Sequence, residues 1–224
     1  KKKKKFAQSG HRSPGAGCGP GQGGWHHEYP GGDPQYSPLP EYSAGKPGIH
    51  PVRGGDDVQP LSTGGFSTRL RSITDVLDKE AKPLARYPVN TDEVVDAGPA
   101  FLTQWAMQQV VEKGTGRAAR ASLPQDLKVA GKTGTSNDFR DAWFAGFSAN
   151  HLAVVWVGRD DNRNAGITGS SGALPVWAQL MGKLPQRSLS QTPPAGVDWV
   201  WMNPDGKRVS AEGCGDARRY PMLE

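Results

Sequence analysis

The first sixty residues of this chain hold too little apolar surface to fold by themselves. Residues 1–60 contain only five members of the Val, Ile, Leu, Met and Phe set (Phe6, Leu39, Ile49, Val52 and Val58), against 13 Gly and 9 Pro. Burying so few side chains does not offset the entropy of ordering the backbone. Residues 1–60 are therefore predicted to be a disordered, low-complexity segment, and any core must come from residues 61–224. Charge divides at the same end. The 224-residue chain has 27 Lys and Arg against 22 Asp and Glu, a net charge of +5. Lys1 to Lys5 supply all of it; without them the two signs balance. A nucleic-acid-binding domain gathers basic residues on a folded face or along one element, so no nucleic acid is expected as partner.

The lysine run is not followed by an apolar h-region, so it is not read as a signal peptide. No apolar run reaches the ~18 residues of a transmembrane helix. A polybasic segment without an adjoining anchor holds a lipid surface weakly. Cys18 and Cys214 lie one in each flank, which is neither a disulfide framework nor a ligand set. His26 and His27 are adjacent and have no third ligand nearby. No metal and no cofactor is expected.

Patterning begins near Leu61. Residues 70–77 and 82–87 flank the polar stretch Asp78-Lys-Glu-Ala81 and predict a hairpin. A helix follows, with Pro99 suited to its first turn. Phe101, Leu102, Trp105, Ala106, Val110 and Val111 recur at spacings of three and four, and Gly114 and Gly116 stop the run. Residues 128–135, 141–147 and 152–158 read as three strands of an antiparallel meander, the last two joined by Ser148–His151. A polar loop covers 159–172. Residues 173–181 predict a closing helix, with Pro175 confined to its first turn. From Pro185 the chain reads as a polar tail, with one added strand around Val197, Trp199, Val200 and Trp201. The fold class is α+β, an antiparallel sheet flanked by helices. The expected divisions are 1–60, 61–184 and 185–224.

The chemistry concentrates at Gly131-Lys132-Thr133-Gly134-Thr135-Ser136. Gly-Lys-Thr suggests a phosphate-binding loop, but that motif needs a glycine five residues before the Gly-Lys pair, where Asp126 stands. Gly134, Asn137 and Asp138 also oppose the helix such a loop requires. The other reading is Lys-Thr-Gly on a strand, a signature of serine penicillin-binding proteins and class A β-lactamases. There Lys132 offers a fixed cation to a substrate carboxylate. Gly134 lets a peptide lie close to the strand. The hydroxyls of Thr133 and Thr135 add hydrogen bonds, and the Thr135 N–H can face the oxygen of a tetrahedral intermediate. The triplet alone equally suits an exposed edge-strand lysine beside a turn.

Four blocks decide between these readings. Val110-Val-Glu-Lys-Gly-Thr-Gly-Arg-Ala-Ala119, Ala130-Gly-Lys-Thr-Gly-Thr-Ser-Asn-Asp138, Asp141-Ala-Trp-Phe-Ala-Gly-Phe147 and Val155-Trp-Val-Gly-Arg-Asp-Asp161 together resemble class A penicillin-binding proteins, the bifunctional peptidoglycan synthases. Residues 62–66, 103–109 and 169–173 look most like the 1B subgroup. The resemblance covers about residues 61–184. It implies a penicillin-binding-protein/β-lactamase-like transpeptidase fold, here incomplete, and a D,D-transpeptidase reaction on D-Ala-D-Ala stem peptides that β-lactams would block. It implies substrate-binding roles for Lys132, Thr133, Gly134 and Thr135, and a supporting role for Asp141 and Trp143. It places the parent family at the periplasmic face of the bacterial inner membrane, held there by an N-terminal anchor.

The family's Ser-x-x-Lys nucleophile motif and its Ser-x-Asn motif should precede Lys-Thr-Gly. Ser43-Ala-Gly-Lys46 has the first spacing but lies among Pro38, Pro40, Gly45, Pro47 and Gly48, which no helix tolerates. With 15 Ser and 13 Lys in the chain, about one such spacing arises by chance, and the motif means little without its helix. Ser148-Ala-Asn150 follows Lys132, whereas the family motif precedes it. Ser43, Lys46 and Ser148 are therefore read as decoys, and no catalytic residue is assigned. The expectation is the C-terminal part of a transpeptidase domain, inactive alone; a truncated or frame-shifted gene is one hypothesis for the change in sequence near residue 60. A β-lactamase or D-Ala-D-Ala carboxypeptidase, and a non-catalytic peptide-binding remnant, are the alternatives.

Overall fold

The structure is a computed structural model that describes residues 51–210 and 215–224. Cys18, His26, His27, Ser43, Lys46, Cys214 and the Lys1–Lys5 run lie outside the described residues. The chain divides into two compact units. The larger holds residues 51–198 with 223–224, and the smaller holds 199–210 with 215–222.

The first element is a helix where disorder is expected: α1 spans Pro51–Thr63. This corrects the boundary at residue 60. Its sequence is polar and carries Pro60 inside it, so local propensity does not explain it. Tertiary contact does. Val58 and Leu61 pack against a cluster of Met107, Ala130, Phe147 and Leu189. Gly54 lies close to a strand, so that a Cβ there would stand 3.3 Å from Val154 Cγ1.

Gly64 and Gly65 then turn the chain. Gly65 has φ +115°, and a Cβ would meet the Val95 carbonyl oxygen at 2.0 Å, so only glycine fits. The Gly65 carbonyl accepts from the N–H groups of Val94 and Val95. This brings together two strands that the sequence does not signal, β1 (Phe66–Thr68) and, later in the chain, its antiparallel partner Thr91–Glu93. Gln59 on α1 holds β1, its Oε1 accepting from Thr68 N at 2.8 Å. The expected hairpin forms between β2 (Asp75–Leu77) and β3 (Pro83–Arg86). Asp78 Oδ1 accepts from the backbone of Glu80 and Lys82 across its turn. The strands are shorter than their apolar runs suggest, because Leu70, Ile73, Val76, Leu77 and Leu84 are all exposed. The Thr91–Glu93 strand is β4.

Helix α2 spans Ala97–Lys113, with Gly114 at its C-cap. Its buried face is not the expected one. Ala106 is exposed, Leu102, Trp105 and Val110 are half-buried, and Gln104, Met107 and Gln108 are buried with Phe101 and Val111. The Gln108 side-chain Oε1 accepts from Gln191 Nε2 at 3.0 Å, which offsets its desolvation. A 3-10 turn over Arg117–Ala121 follows. Glu112 receives Arg120 Nη2 at 2.6 Å and Lys128 Nζ at 3.3 Å, and Arg120 Nη1 donates to the Leu127 carbonyl. This clamp fixes the loop that leads into the sheet.

The central sheet is the expected meander. β5 (Ala130–Thr135), β6 (Asp141–Phe147) and β7 (Leu152–Gly158) lie side by side in that order, all antiparallel. Lys132 pairs with Ala145, Thr133 with Phe144, and Gly134 with Trp143. Side chains alternate between two faces. One face presents Ala142 and Phe144 to Trp177, Ala178 and Met181 of α3 (Leu174–Gly182). The other presents Ala130, Phe147 and Leu152 to α1 and Met107. A π-turn over Gly169–Ala173 leads into α3, closed by a capping box between Thr168 and Ser171.

The tail forms more structure than one added strand. β8 (Val197–Met202) lies between β10 (Arg218–Leu223) and the short β9 (Arg208–Val209). In the smaller unit the Arg219 guanidinium stands 5.4 Å from the Trp199 ring and 5.8 Å from that of Trp201, a cation–π arrangement. No helix among the described residues is long and apolar enough to cross a membrane.

Candidate functional site

Lys132, Thr133, Gly134 and Thr135 all lie on β5, which pairs with β6 alone among the described residues. Among the described residues its other edge is open, with no strand paired to it. Which backbone groups face that edge follows from one hydrogen bond and the alternation of an antiparallel ladder. Ser136 N donates to Asp141 O at 3.0 Å, toward β6. Residues of even number on β5 therefore turn their backbone groups to β6. Thr133 and Thr135 turn theirs to the open edge.

Side chains complete that edge. Lys132 is exposed, and its Nζ bends to the edge to donate to the Thr133 carbonyl at 2.7 Å. The Thr133 and Thr115 hydroxyls are hydrogen-bonded at 2.7 Å. Thr135 Oγ1 accepts from Gly169 N at 3.0 Å, which leaves its own proton free to be donated outward. Gly134 lies against Trp143, with a Cβ placed 3.2 Å from Trp143 Cβ. Trp143 and Trp156 sit with ring centroids 6.2 Å apart, and Trp156 Nε1 donates to Asp141 Oδ1 at 2.9 Å. Asp141 and Trp143 thus brace the neighbouring strands. The arrangement can hold a carboxylate and an extended peptide by backbone pairing. No helix follows Lys132-Thr133, as a phosphate-binding loop would need; β5 runs on to Thr135 and a 3-10 turn at Asn137–Phe139 follows.

The other serine motif has a structural use. Ser148 is buried, and its Oγ accepts from the backbone N–H groups of Asn150 and His151 and bonds Asn150 Oδ1. It closes the turn between β6 and β7. Two contributors carry no role in the sequence reading, Thr115 and Gly169. Their only signals are the Gly-Thr-Gly and Gly-Ser-Ser-Gly blocks.

The loop after β7 is stapled by charge. Arg159 donates to both oxygens of Asp161, at 2.9 and 2.8 Å. That pairing, with the Arg163 N–H, lowers the Asp161 carboxyl from 3.8 to about 2. A depressed carboxyl contributes to order above its ordinary range and loses that contribution as pH falls through the depressed value. The staple should therefore persist until about pH 2. A carboxyl-carbon NMR titration of Asp161 checks this, and a midpoint at 3.8 would contradict it.

An α+β fold built on an antiparallel sheet that carries Lys-Thr-Gly on a strand is the arrangement of the penicillin-binding-protein and β-lactamase-like fold class. The chain belongs to the penicillin-binding protein transpeptidase domain family, whose pattern matches residues 58–181, and within it to the class A type. It is 33% identical to penicillin-binding protein 1B of Escherichia coli over 179 residues, 80% of this chain and 21% of that protein. It is 37% identical to penicillin-binding protein 1B of Haemophilus influenzae over 148 residues, 66% of this chain and 19% of that one. In fold it is similar to the crystal structure of Haemophilus influenzae penicillin-binding protein 1A, with a TM-score of 0.69 at 23% identity, over 78% of this chain and 32% of that chain. The chain thus spans about a fifth of the length of these curated relatives.

Proposed function

We propose that β5 is the peptide-binding wall of a peptidoglycan D,D-transpeptidase site. The observation that carries this reading is the open edge, with Lys132 Nζ and the backbone of Thr133 and Thr135 all turned toward it. The terminal carboxylate of a D-Ala-D-Ala stem peptide pairs with Lys132 and the Thr133 hydroxyl. The peptide backbone runs along the edge beside Gly134. The Thr135 N–H faces the scissile carbonyl oxygen, where it stabilises the charge of a tetrahedral intermediate. In the complete reaction a serine attacks that carbonyl, D-Ala leaves as an amine, and the amine of a second stem peptide takes the acyl group. β-Lactams occupy the same edge. The setting is the periplasmic face of the inner membrane.

The only Ser-x-x-Lys of this sequence is Ser43–Lys46, so the chain is proposed to bind without acylation. Titration with an N-acyl-D-Ala-D-Ala peptide tests the binding. Lys132→Ala should weaken it about tenfold, the value of one charge-assisted hydrogen bond; equal affinity would refute the role of Lys132. A fluorescent penicillin should leave no stable covalent label. Labelling that disappears on Ser43→Ala would overturn the assignment of Ser43 as a decoy.

A further inference from the structure

We infer that Thr115, which lies outside the Lys-Thr-Gly strand, is a positioning residue for carboxylate recognition, acting through the Thr133 hydroxyl. The inference rests on the peptide-binding reading of β5. Thr115 follows Gly114, the C-cap of α2, and belongs to the turn that the Glu112–Arg120 ion pair holds in place. Its Oγ1 stands 2.7 Å from Thr133 Oγ1, across 18 residues of sequence.

A threonine hydroxyl has one proton and two lone pairs. At rest either of the two oxygens can be the donor. A carboxylate only accepts, so its arrival settles the direction. Thr133 must then give its proton to the carboxylate, and its oxygen accepts the proton of Thr115. The Thr115 bond does two things in that state. It selects the Thr133 rotamer that presents the proton to the ligand, and it polarises the Thr133 O–H, because hydrogen bonds in a chain strengthen one another. Lys132 Nζ already lies at the Thr133 carbonyl. The ammonium and the relayed hydroxyl thus converge on one residue. Thr135 is held in the same manner from a different loop, by the Gly169 N–H. Each strand hydroxyl has a partner off the strand.

Thr115→Val keeps the branched shape and removes the hydroxyl, and Thr115→Ser keeps the hydroxyl. Because Thr115 is exposed, neither change should move the melting midpoint. Thr115→Val should weaken N-acyl-D-Ala-D-Ala binding about three- to tenfold, and Thr115→Ser should restore it. In the background of Thr133→Val, Thr115→Val should add nothing further. Equal affinity of wild type and Thr115→Val would overturn the inference, as would equal losses from Val and Ser. Side-chain coupling constants of Thr133 in the free protein read the rotamer directly. One fixed rotamer in the wild type and averaging in Thr115→Val are expected, and no difference would also overturn it. If wild type binds no peptide, the proposed function of β5 fails, and the rotamer measurement still decides whether Thr115 positions Thr133.

Discussion

Trp177→Ala should cost the chain about 3–5 kcal/mol of stability, the range for removing a large buried aromatic. A domain of ordinary stability has only about 5–15 kcal/mol in total. Trp177 is fully buried. Its ring lies 4.8 Å from that of Phe144, and its Nε1 donates to the Gly146 carbonyl at 3.2 Å. The space it fills is made by two missing side chains. A Cβ on Gly146 would reach Trp177 at 2.7 Å, and one on Gly131 would reach Phe144 at 2.5 Å. The glycines of β5 and β6 thus admit the aromatic pair, and an alanine methyl would occupy little of the space the indole fills. Trp177→Phe should lose less, since it keeps most of the apolar volume and gives up the hydrogen bond. Urea midpoints of the three proteins check the order. A Trp177→Ala midpoint within about 1 kcal/mol of wild type would show that α3 does not anchor the sheet.

Gly169→Ala carries the second large effect, and it reaches the site. A Cβ at Gly169 would stand 2.5 Å from the carbonyl oxygens of both Gly134 and Trp143, and 2.9 Å from Gly134 N. All three are backbone atoms, so no side chain can swing away. Either the β5–β6 ladder opens at Gly134 or the 168–171 turn lifts off it. The strain should cost about 1–3 kcal/mol or more. Lifting the turn also breaks the Gly169 N–H bond to Thr135 Oγ1, so D-Ala-D-Ala affinity should fall with stability. Gly55→Ala in α1 is the control. Nothing lies within 4 Å of its Cβ, and the same chemical change in a helix should stabilise by about 0.5–1 kcal/mol. If Gly169→Ala melts and binds like wild type, the turn does not support the strand.

What the sequence reveals and what it conceals divide along physical lines. The meander was legible because residues 141–147 and 152–158 are short apolar runs parted by a polar turn, as strands of a sheet covered on both faces are. Lys132 to Thr135 were legible as a candidate site because the motif is local. Helix α1 was not, since its packing is carried by Val58 and Leu61 and by a close approach at Gly54. No local propensity announces that. The buried face of α2 was misplaced because Gln104 and Gln108 count as polar, although a partner such as Gln191 can satisfy an amide. The strand pair Phe66–Thr68 and Thr91–Glu93 is too short to show alternation. Thr115 and Gly169 act on β5 from 18 and 34 residues away, distances at which single residue types carry no signal.

The open edge of β5 also makes loop length a chemical variable. The parity that turns Thr133 and Thr135 outward is set by the Ser136–Asp141 bond, at the mouth of the short connection between β5 and β6. Slide β5 by one residue against β6 and the outward groups become those of Lys132 and Gly134. Lys132 would then lose the carbonyl its ammonium rests on, and the Thr135 N–H would turn inward. One residue more or fewer between Ser136 and Asp141 can therefore silence the edge while leaving every motif residue in place.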